Sequence, residues 1–267
     1  MTEWVLAIAA AAAYLVSGGI IGMRLFQYDH APPKGVALAI GWAGVAIHAV
    51  ALFQDLIGAN GINLGMFNAF SLAAWFVLVL FLLSAIAKPV ENLGIVLLPA
   101  AALAVLMQIA YPSMHFLPPT ASWGLRLHVL LSFLAYSLLT LASVQAVLLA
   151  IQDHHLHNRH PGGFVRALPP LQTMEDVLFQ LIGAGFVLLS LALLSGFLFL
   201  TDIFAQHLVH KTVLSIAAWL VFATLLTGRI RAGWRGRKAL IGTLIGFGVL
   251  MLAYFGSRFV LDILLQR

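Results

Sequence analysis

The strongest constraint on this chain is a succession of long apolar runs from one end of the sequence to the other. A helix needs roughly 20 apolar residues to cross the hydrocarbon core of a bilayer, and these runs are of that length. Because backbone polar groups find no water in lipid, and because the runs are continuous rather than alternating, helices are favoured over barrel strands. The 267 residues, 62% hydrophobic and 9% charged, therefore predict an all-α polytopic integral membrane protein and exclude a soluble domain.

Polar turns and prolines divide the sequence into about eight predicted transmembrane helices, which form a single transmembrane domain over residues 1–267. The first run follows Met-Thr-Glu rather than a basic cluster, so it is expected to be a retained span and not a cleaved signal peptide. The expected spans are about 5–23, 35–57, 66–87, 93–111, 124–152, a sixth that ends near residue 200, and two more between residues 207 and 258.

Basic residues gather in alternate connections. Ten of the fourteen Lys and Arg residues follow the first, third, fifth or seventh span. Basic connections stay in the cytoplasm, so both termini are predicted to lie outside. The net charge of +5 is then explained by membrane orientation, and nucleic acid is not expected as a partner. The absence of cysteine excludes thiolate metal sites, disulfides and covalent haem attachment to this chain.

Two histidines are the leading candidates for a binding site. His128 and His210 each lie near the start of a long helix on the predicted outer side. Imidazoles from two helices could ligate haem iron from its two axial sides. The alternative is that each ring sits at the interface or makes a hydrogen bond between helices. His207, one turn before His210, could take its place.

Two arginines lie at a similar predicted depth. Arg126 precedes His128 by two residues, and Arg258 lies near the outer end of the eighth span. A guanidinium there could pair with an anionic group such as a haem propionate. The alternatives are snorkelling to lipid headgroups, or for Arg258 an ion pair with Asp262 one turn later.

His48 lies inside the second span, farther from either surface. A buried imidazole in lipid requires a partner. Three roles remain open for it from the sequence: a transient haem ligand, a proton-relay group, or a structural hydrogen bonder.

Four segments carry a resemblance to a known family. They are LHVLLSFLAYS at 127–137, LPPLQTMEDVLFQLIGAGFVLLSLALLSG at 168–196, HKTVLSIAAWLVFATLLTGR at 210–229 and GWRGRKALIGTLIGFGVLMLAYFGSRFV at 233–260. In combination they resemble the cytochrome c assembly (CcsA) superfamily, in its branch of HemX-like and YpjD-like inner-membrane proteins. The resemblance is strongest over residues 123–262, and in the first half NLGMFNAFSLAAWF is loosely similar to an early helix of the family.

The resemblance implies a multi-pass protein of the bacterial inner membrane that handles haem. His128 resembles the first external haem ligand of the family, and non-covalent haem b is the cofactor implied. The chain departs from the family pattern between the sixth and seventh spans, where TDIFAQHLVHK contains no tryptophan and none of the family's tryptophan-rich WWD motif. His210 falls where that motif would end. Two outcomes follow: haem binding without synthetase activity, or loss of haem binding.

The sequence thus predicts a haem-binding or haem-handling accessory protein of cytochrome c biogenesis or haem trafficking. Its expected partners are the lipid bilayer and other proteins of cytochrome c biogenesis or haem synthesis. One alternative is a HemX-like regulatory protein that binds a protein partner without delivering haem. A small-solute transporter is less favoured, because the spans carry few polar groups in their inner halves. An enzyme is least favoured, because no nucleophile and base, and no paired carboxylates, share a depth.

Overall fold

The computed structural model describes residues 2–58, 61–112, 115–157, 163–199 and 209–256. Within these ranges, eight helices are long and apolar enough to cross a membrane, as the apolar runs predict. The α-helices of these spans are α1 Thr2–Leu25, α2 Lys34–Leu56, α3 Met66–Ala87, α4 Gly94–Ala110, α5 Trp123–His157, α6 Leu171–Phe199, α7 Val209–Ala232 and α8 Arg237–Met251. Adjoining turns lengthen the fourth span to Glu91–Ala110 and the eighth to Arg237–Gly256. Short 3-10 turns occupy Glu91–Leu93 and Gly163–Ala167, and a π-helical turn, Leu252–Gly256, extends α8. The fold is all-α and polytopic, as expected.

The chain forms two compact units, and the first comprises Met1–Pro119 and His155–Pro169. Its helix α1 packs against α2 and α4, while α3 packs against both α2 and α4. Small residues allow this close approach: a Cβ on Gly44 would lie only 2.7 Å from the Tyr14 ring. The Ser17 hydroxyl donates a 2.8 Å hydrogen bond to the Ala37 carbonyl across the same helix pair. Helices in lipid associate through such packing and hydrogen bonds, since burial from water contributes little there.

A small antiparallel sheet lies at one end of this unit, where only loops were predicted. β1 Ile57–Gly58 pairs with β2 Gly61–Asn63, which pairs with β3 Phe116–Leu117. Gly61 has a φ of +110°, and a Cβ there would collide with the Leu117 carbonyl. The sheet joins the connection after α2 to the connection after α4, a pairing between distant segments that no local pattern predicts.

The second unit comprises Thr120–His154 and Pro170–Arg267. Its helix α7 packs against α6, α8 and the π-helical turn. Helix α5 contacts α6 at Gly185. The missing side chain makes room for Leu139, since a Cβ on Gly185 would lie 2.8 Å from the Leu139 side chain. The Gln145 amide donates to the Met174 carbonyl at 3.0 Å along the same contact. These contacts hold the first turns of α5 beside the last turns of α6, where the candidate site lies.

Candidate functional site

His128 lies in the second turn of α5 and makes its main contact with α6. Its Nδ1 lies 2.8 Å from the Ala192 carbonyl oxygen. A carbonyl can only accept a hydrogen bond, so Nδ1 carries the ring proton and donates it. In the neutral imidazole Nε2 then holds a lone pair, and no described residue donates a hydrogen bond to it. This tautomer is the one that a metal-ligating histidine adopts when its second nitrogen donates to a carbonyl.

Two further residues of α6 hold this imidazole in place. The Ser195 hydroxyl lies 3.2 Å from Nδ1 and itself donates to the Ala192 carbonyl at 2.8 Å. Gly196 leaves room for the ring, since a Cβ there would lie 3.1 Å from Cε1 of His128. The ring is half-buried, whereas Ser195 is buried. The orientation of His128 is therefore fixed from one side by α6.

His210 and Arg126 are both exposed, in the first turn of α7 and the first turn of α5 respectively. Within the described ranges no hydrogen bond or ring contact links His210 to His128. Arg126, His128 and His210 thus each lie near the start of a helix, but the imidazole rings of His128 and His210 make no contact with each other in the described part of the chain. His207 and Arg258 lie outside the described residues.

In the second unit, an aromatic cluster joins α5, α7 and the end of α8. The Phe133 and Tyr254 rings meet edge to face at 6.1 Å, and the Lys211 ammonium lies 5.6 Å from the centre of the Tyr254 ring. Tyr136 contacts Phe247 and Phe255, each at 5.5 Å between ring centres. This cluster was not predicted from the sequence. Its only sequence signal is the appearance of aromatic residues on both α5 and the end of α8, within two of the segments that carry the resemblance.

His48 lies fully buried in α2 with both ring nitrogens engaged. Nδ1 is 3.0 Å from the Tyr14 hydroxyl of α1, and Nε2 is 2.8 Å from the Ser71 hydroxyl of α3. All three side chains have no exposed surface. Either ring tautomer satisfies both bonds, since each hydroxyl can donate or accept. The imidazole therefore links three helices of the first unit, and it would have to give up a hydrogen bond before it could ligate a metal.

The model of one protein family, described as cytochrome c assembly protein, matches residues 37–265. The chain belongs to the cytochrome c assembly protein family. The match covers both compact units and includes His48, His128, His210 and the α6 residues that hold His128. The resemblance carried by the four segments is thus confirmed for the family.

Similar proteins agree with this membership. The chain is 32% identical over 262 residues to the inner membrane protein YpjD of Escherichia coli K12, covering 96% of this chain and 97% of the relative. It is 33% identical over 236 residues to an uncharacterized 28.8 kDa protein of Azospirillum brasilense, covering 86% of this chain and 85% of that protein. A cytochrome c biogenesis protein CcsA of Guillardia theta is 27% identical over 198 residues, 68% of this chain and 64% of the relative.

No solved structure matches the chain. The family match and the similar proteins confirm that this chain is YpjD-like and CcsA-like, whereas its similarity to the HemX branch remains a prediction. With eight candidate spans in the described residues and an inner membrane protein as a full-length relative, it is a multi-pass protein of the inner membrane.

Proposed function

We propose that this protein binds haem b non-covalently in its second unit and acts as an accessory in cytochrome c biogenesis or haem trafficking. Membership of the cytochrome c assembly family and similarity to a CcsA protein support the biogenesis role. The observation that carries haem binding is the hydrogen bond from Nδ1 of His128 to the Ala192 carbonyl. That bond fixes the tautomer in which Nε2 is available as an axial ligand.

The chemistry of the donor fits haem. When bound, haem would supply an iron that accepts neutral imidazole and whose redox potential responds to its axial ligands. His128 would provide one imidazole, held by Ala192 and Ser195 so that little side-chain freedom is lost on binding. The aromatic cluster around Tyr136 and Tyr254 offers flat apolar surface in the same unit.

His210 is proposed as the second axial ligand, with Arg126 and Arg258 as partners for the propionates. His210 is accessible at the start of α7, and Arg126, two residues before His128, is exposed. His48 is the third candidate inside the membrane, although its two hydrogen bonds favour the structural role. Because the WWD tryptophans are missing, the proposal assigns haem binding to this chain and not synthetase activity.

An absorption experiment with the wild type and three variants tests this function. Protein purified with native lipid and supplemented with haem should show a Soret band and the spectrum of bis-histidine iron. His128→Ala should weaken haem binding by at least about tenfold, comparable with the loss of a metal-site contact. His210→Ala should leave a one-histidine spectrum. In His128→Gly, added imidazole should restore the band, since it can fill the vacated position.

Matched controls separate ligation from folding. His30→Ala removes an exposed imidazole from the connection after α1 and should leave the spectrum unchanged. Thermal unfolding in detergent should be similar for His128→Ala, His210→Ala and His30→Ala. A wild-type protein without a Soret band, or a His128→Ala spectrum identical to wild type, would refute the proposal.

A further inference from the structure

A polar cavity lies in the first unit, and none of the residues that line it is among the proposed haem ligands. It has a volume of about 280 Å³ and lies where the connection after α1 meets the turn before α4 and the segment 167–169. A water molecule occupies about 30 Å³ in the liquid, so the cavity has room for a polyatomic group. Its polar lining comprises Arg24, Gln27, Lys34, Glu91 and Asn92.

The charges that line this cavity leave a positive excess. The Lys34 ammonium lies 3.1 Å from the Glu91 carboxylate, which balances it. Arg24 donates one hydrogen bond, at 3.2 Å, to the Pro32 carbonyl, and no described carboxylate lies within ion-pair distance of its guanidinium. Two cations and one anion give a net charge of +1, so an anionic occupant is favoured.

Asn92 supplies a further polar group that an occupant of the cavity could engage. Its side chain is only 5% exposed and lines the cavity, yet no described residue makes a hydrogen bond with its amide. Its amide atoms are not among the fully buried polar atoms that lack a partner in the described residues, so they reach the open space of the cavity. A group with oxygen acceptors in the cavity would satisfy the Asn92 amide and Arg24 together.

The geometry of Arg24 is set by the end of α1. Gln27 has a φ of +58°, and the amides of Gln27 and Tyr28 donate to the carbonyls of Arg24 and Met23. This is the Schellman arrangement that closes a helix with a left-handed residue. It turns the chain back over the end of α1, so that Arg24 and Gln27 line the same cavity.

We propose that this cavity binds a phosphate group, carried by the headgroup of an anionic phospholipid. Guanidinium, ammonium and amide donors together match phosphate oxygens. Basic pockets between transmembrane helices are recognised sites for anionic headgroups. The aliphatic side chains of Ile21, Leu25 and Leu38 complete the lining and suit the start of the acyl region. The proposal stands on the first unit alone and does not depend on haem.

Lipid retention in native mass spectrometry tests the site. Delipidated full-length protein would be titrated with phosphatidylglycerol in detergent, and diacylglycerol with the same acyl chains would serve as the probe without phosphate. Phosphatidylglycerol should bind and diacylglycerol should not. Arg24→Gln should weaken binding roughly fivefold, the factor expected for about 1 kcal/mol per basic residue at an anionic surface. Asn92→Leu should also weaken binding, whereas Glu91→Gln should strengthen it by removing repulsion.

Lys88→Gln is the matched control, since it removes a cation from the connection before α4 that does not line the cavity. It should bind phosphatidylglycerol like wild type. Competition with inorganic phosphate then separates two sources of the same chemistry: displacement at millimolar concentration assigns the site to free phosphate, and resistance assigns it to the lipid.

Equal retention of phosphatidylglycerol by wild type, Arg24→Gln and Asn92→Leu would overturn the proposal. So would equal retention of diacylglycerol. Weaker binding by Arg24→Gln together with tighter binding by Glu91→Gln would exclude misfolding as the explanation, because a misfolded variant would not bind the lipid more tightly.

Discussion

At the scale of single residues, two histidines of the same chain differ in how many ring nitrogens are free. His128 donates through Nδ1 to Ala192 and Ser195, which leaves Nε2 without a hydrogen bond from any described residue. His48 is bonded through both nitrogens, to Tyr14 and Ser71. His128 could bind a metal through Nε2 and keep its hydrogen bond to Ala192. His48 would have to break one buried hydrogen bond before it could bind a metal.

His48→Leu is therefore expected to reduce stability and to leave the Soret band in place. The substitution strands the Tyr14 and Ser71 hydroxyls in an apolar interior, at a cost of about 1–3 kcal/mol for each unsatisfied group. The measurements are thermal unfolding in detergent and the absorption spectrum after haem supplementation. The unfolding temperature should fall clearly below that of wild type.

The triple variant Tyr14→Phe, Ser71→Ala, His48→Leu is the matched control. It removes all three polar groups, and replacing every partner of a hydrogen bond is far less costly than removing one. It should recover much of the lost stability. If His48→Leu instead abolished the Soret band without lowering the unfolding temperature, His48 would be a haem ligand.

At the scale of secondary structure elements, a cluster at the start of α6 holds the turn between α7 and α8. The buried Glu175 carboxylate accepts a 3.0 Å hydrogen bond from the Gly236 amide and lies 3.5 Å from the Arg229 guanidinium. Arg229 also lies 4.5 Å from the centre of the Phe179 ring and 3.3 Å from the Asp176 carboxylate. The Glu175 carboxylate thus contacts both the turn that joins the last two long helices and the end of α7.

Glu175→Ala is expected to lower the free energy of unfolding by about 1–3 kcal/mol. It leaves the Gly236 amide without its acceptor and removes the buried carboxylate that faces Arg229, although Arg229 keeps its shorter contact with Asp176. Asp176→Asn is the matched control, because Asp176 is 52% exposed and exposed ion pairs contribute little. Thermal unfolding of both variants in the same detergent measures the difference. Equal unfolding temperatures for the two variants would show that the cluster does not stabilise the turn.

The elements themselves could largely be predicted from the sequence, because a span is set by local hydropathy. The third span was predicted at 66–87 and is found at Met66–Ala87. What could not be predicted are contacts between distant segments: the pairing of Ile62 with Leu117 of β3, the hydrogen bond from His128 to the Ala192 carbonyl, and the burial of Tyr14 beside His48. A backbone carbonyl has no sequence signature, so the tautomer of His128 could only come from the structure.

At the scale of the whole molecule, the distribution of charge along the chain predicts its orientation. Ten of the fourteen basic residues lie in alternate connections. They include Arg24 and Lys34, which line the cavity, and Arg235, which lies in the turn between α7 and α8. Retaining these connections in the cytoplasm avoids carrying their charge across the bilayer, and it places them beside the anionic leaflet. The same orientation would place His128 and His210 toward the outer face.

Single-cysteine labelling tests that orientation without background, because the natural chain contains no cysteine. Asp29→Cys lies in the connection after α1 and Thr120→Cys in the connection before α5, and both positions are exposed. In intact spheroplasts a membrane-impermeant maleimide should label Thr120→Cys, and it should label Asp29→Cys only after lysis. The reverse pattern would place the basic connections outside and move the proposed haem ligands to the cytoplasmic face. Because an odd number of spans separates the two positions, labelling of both in intact spheroplasts would contradict the eight-helix topology itself.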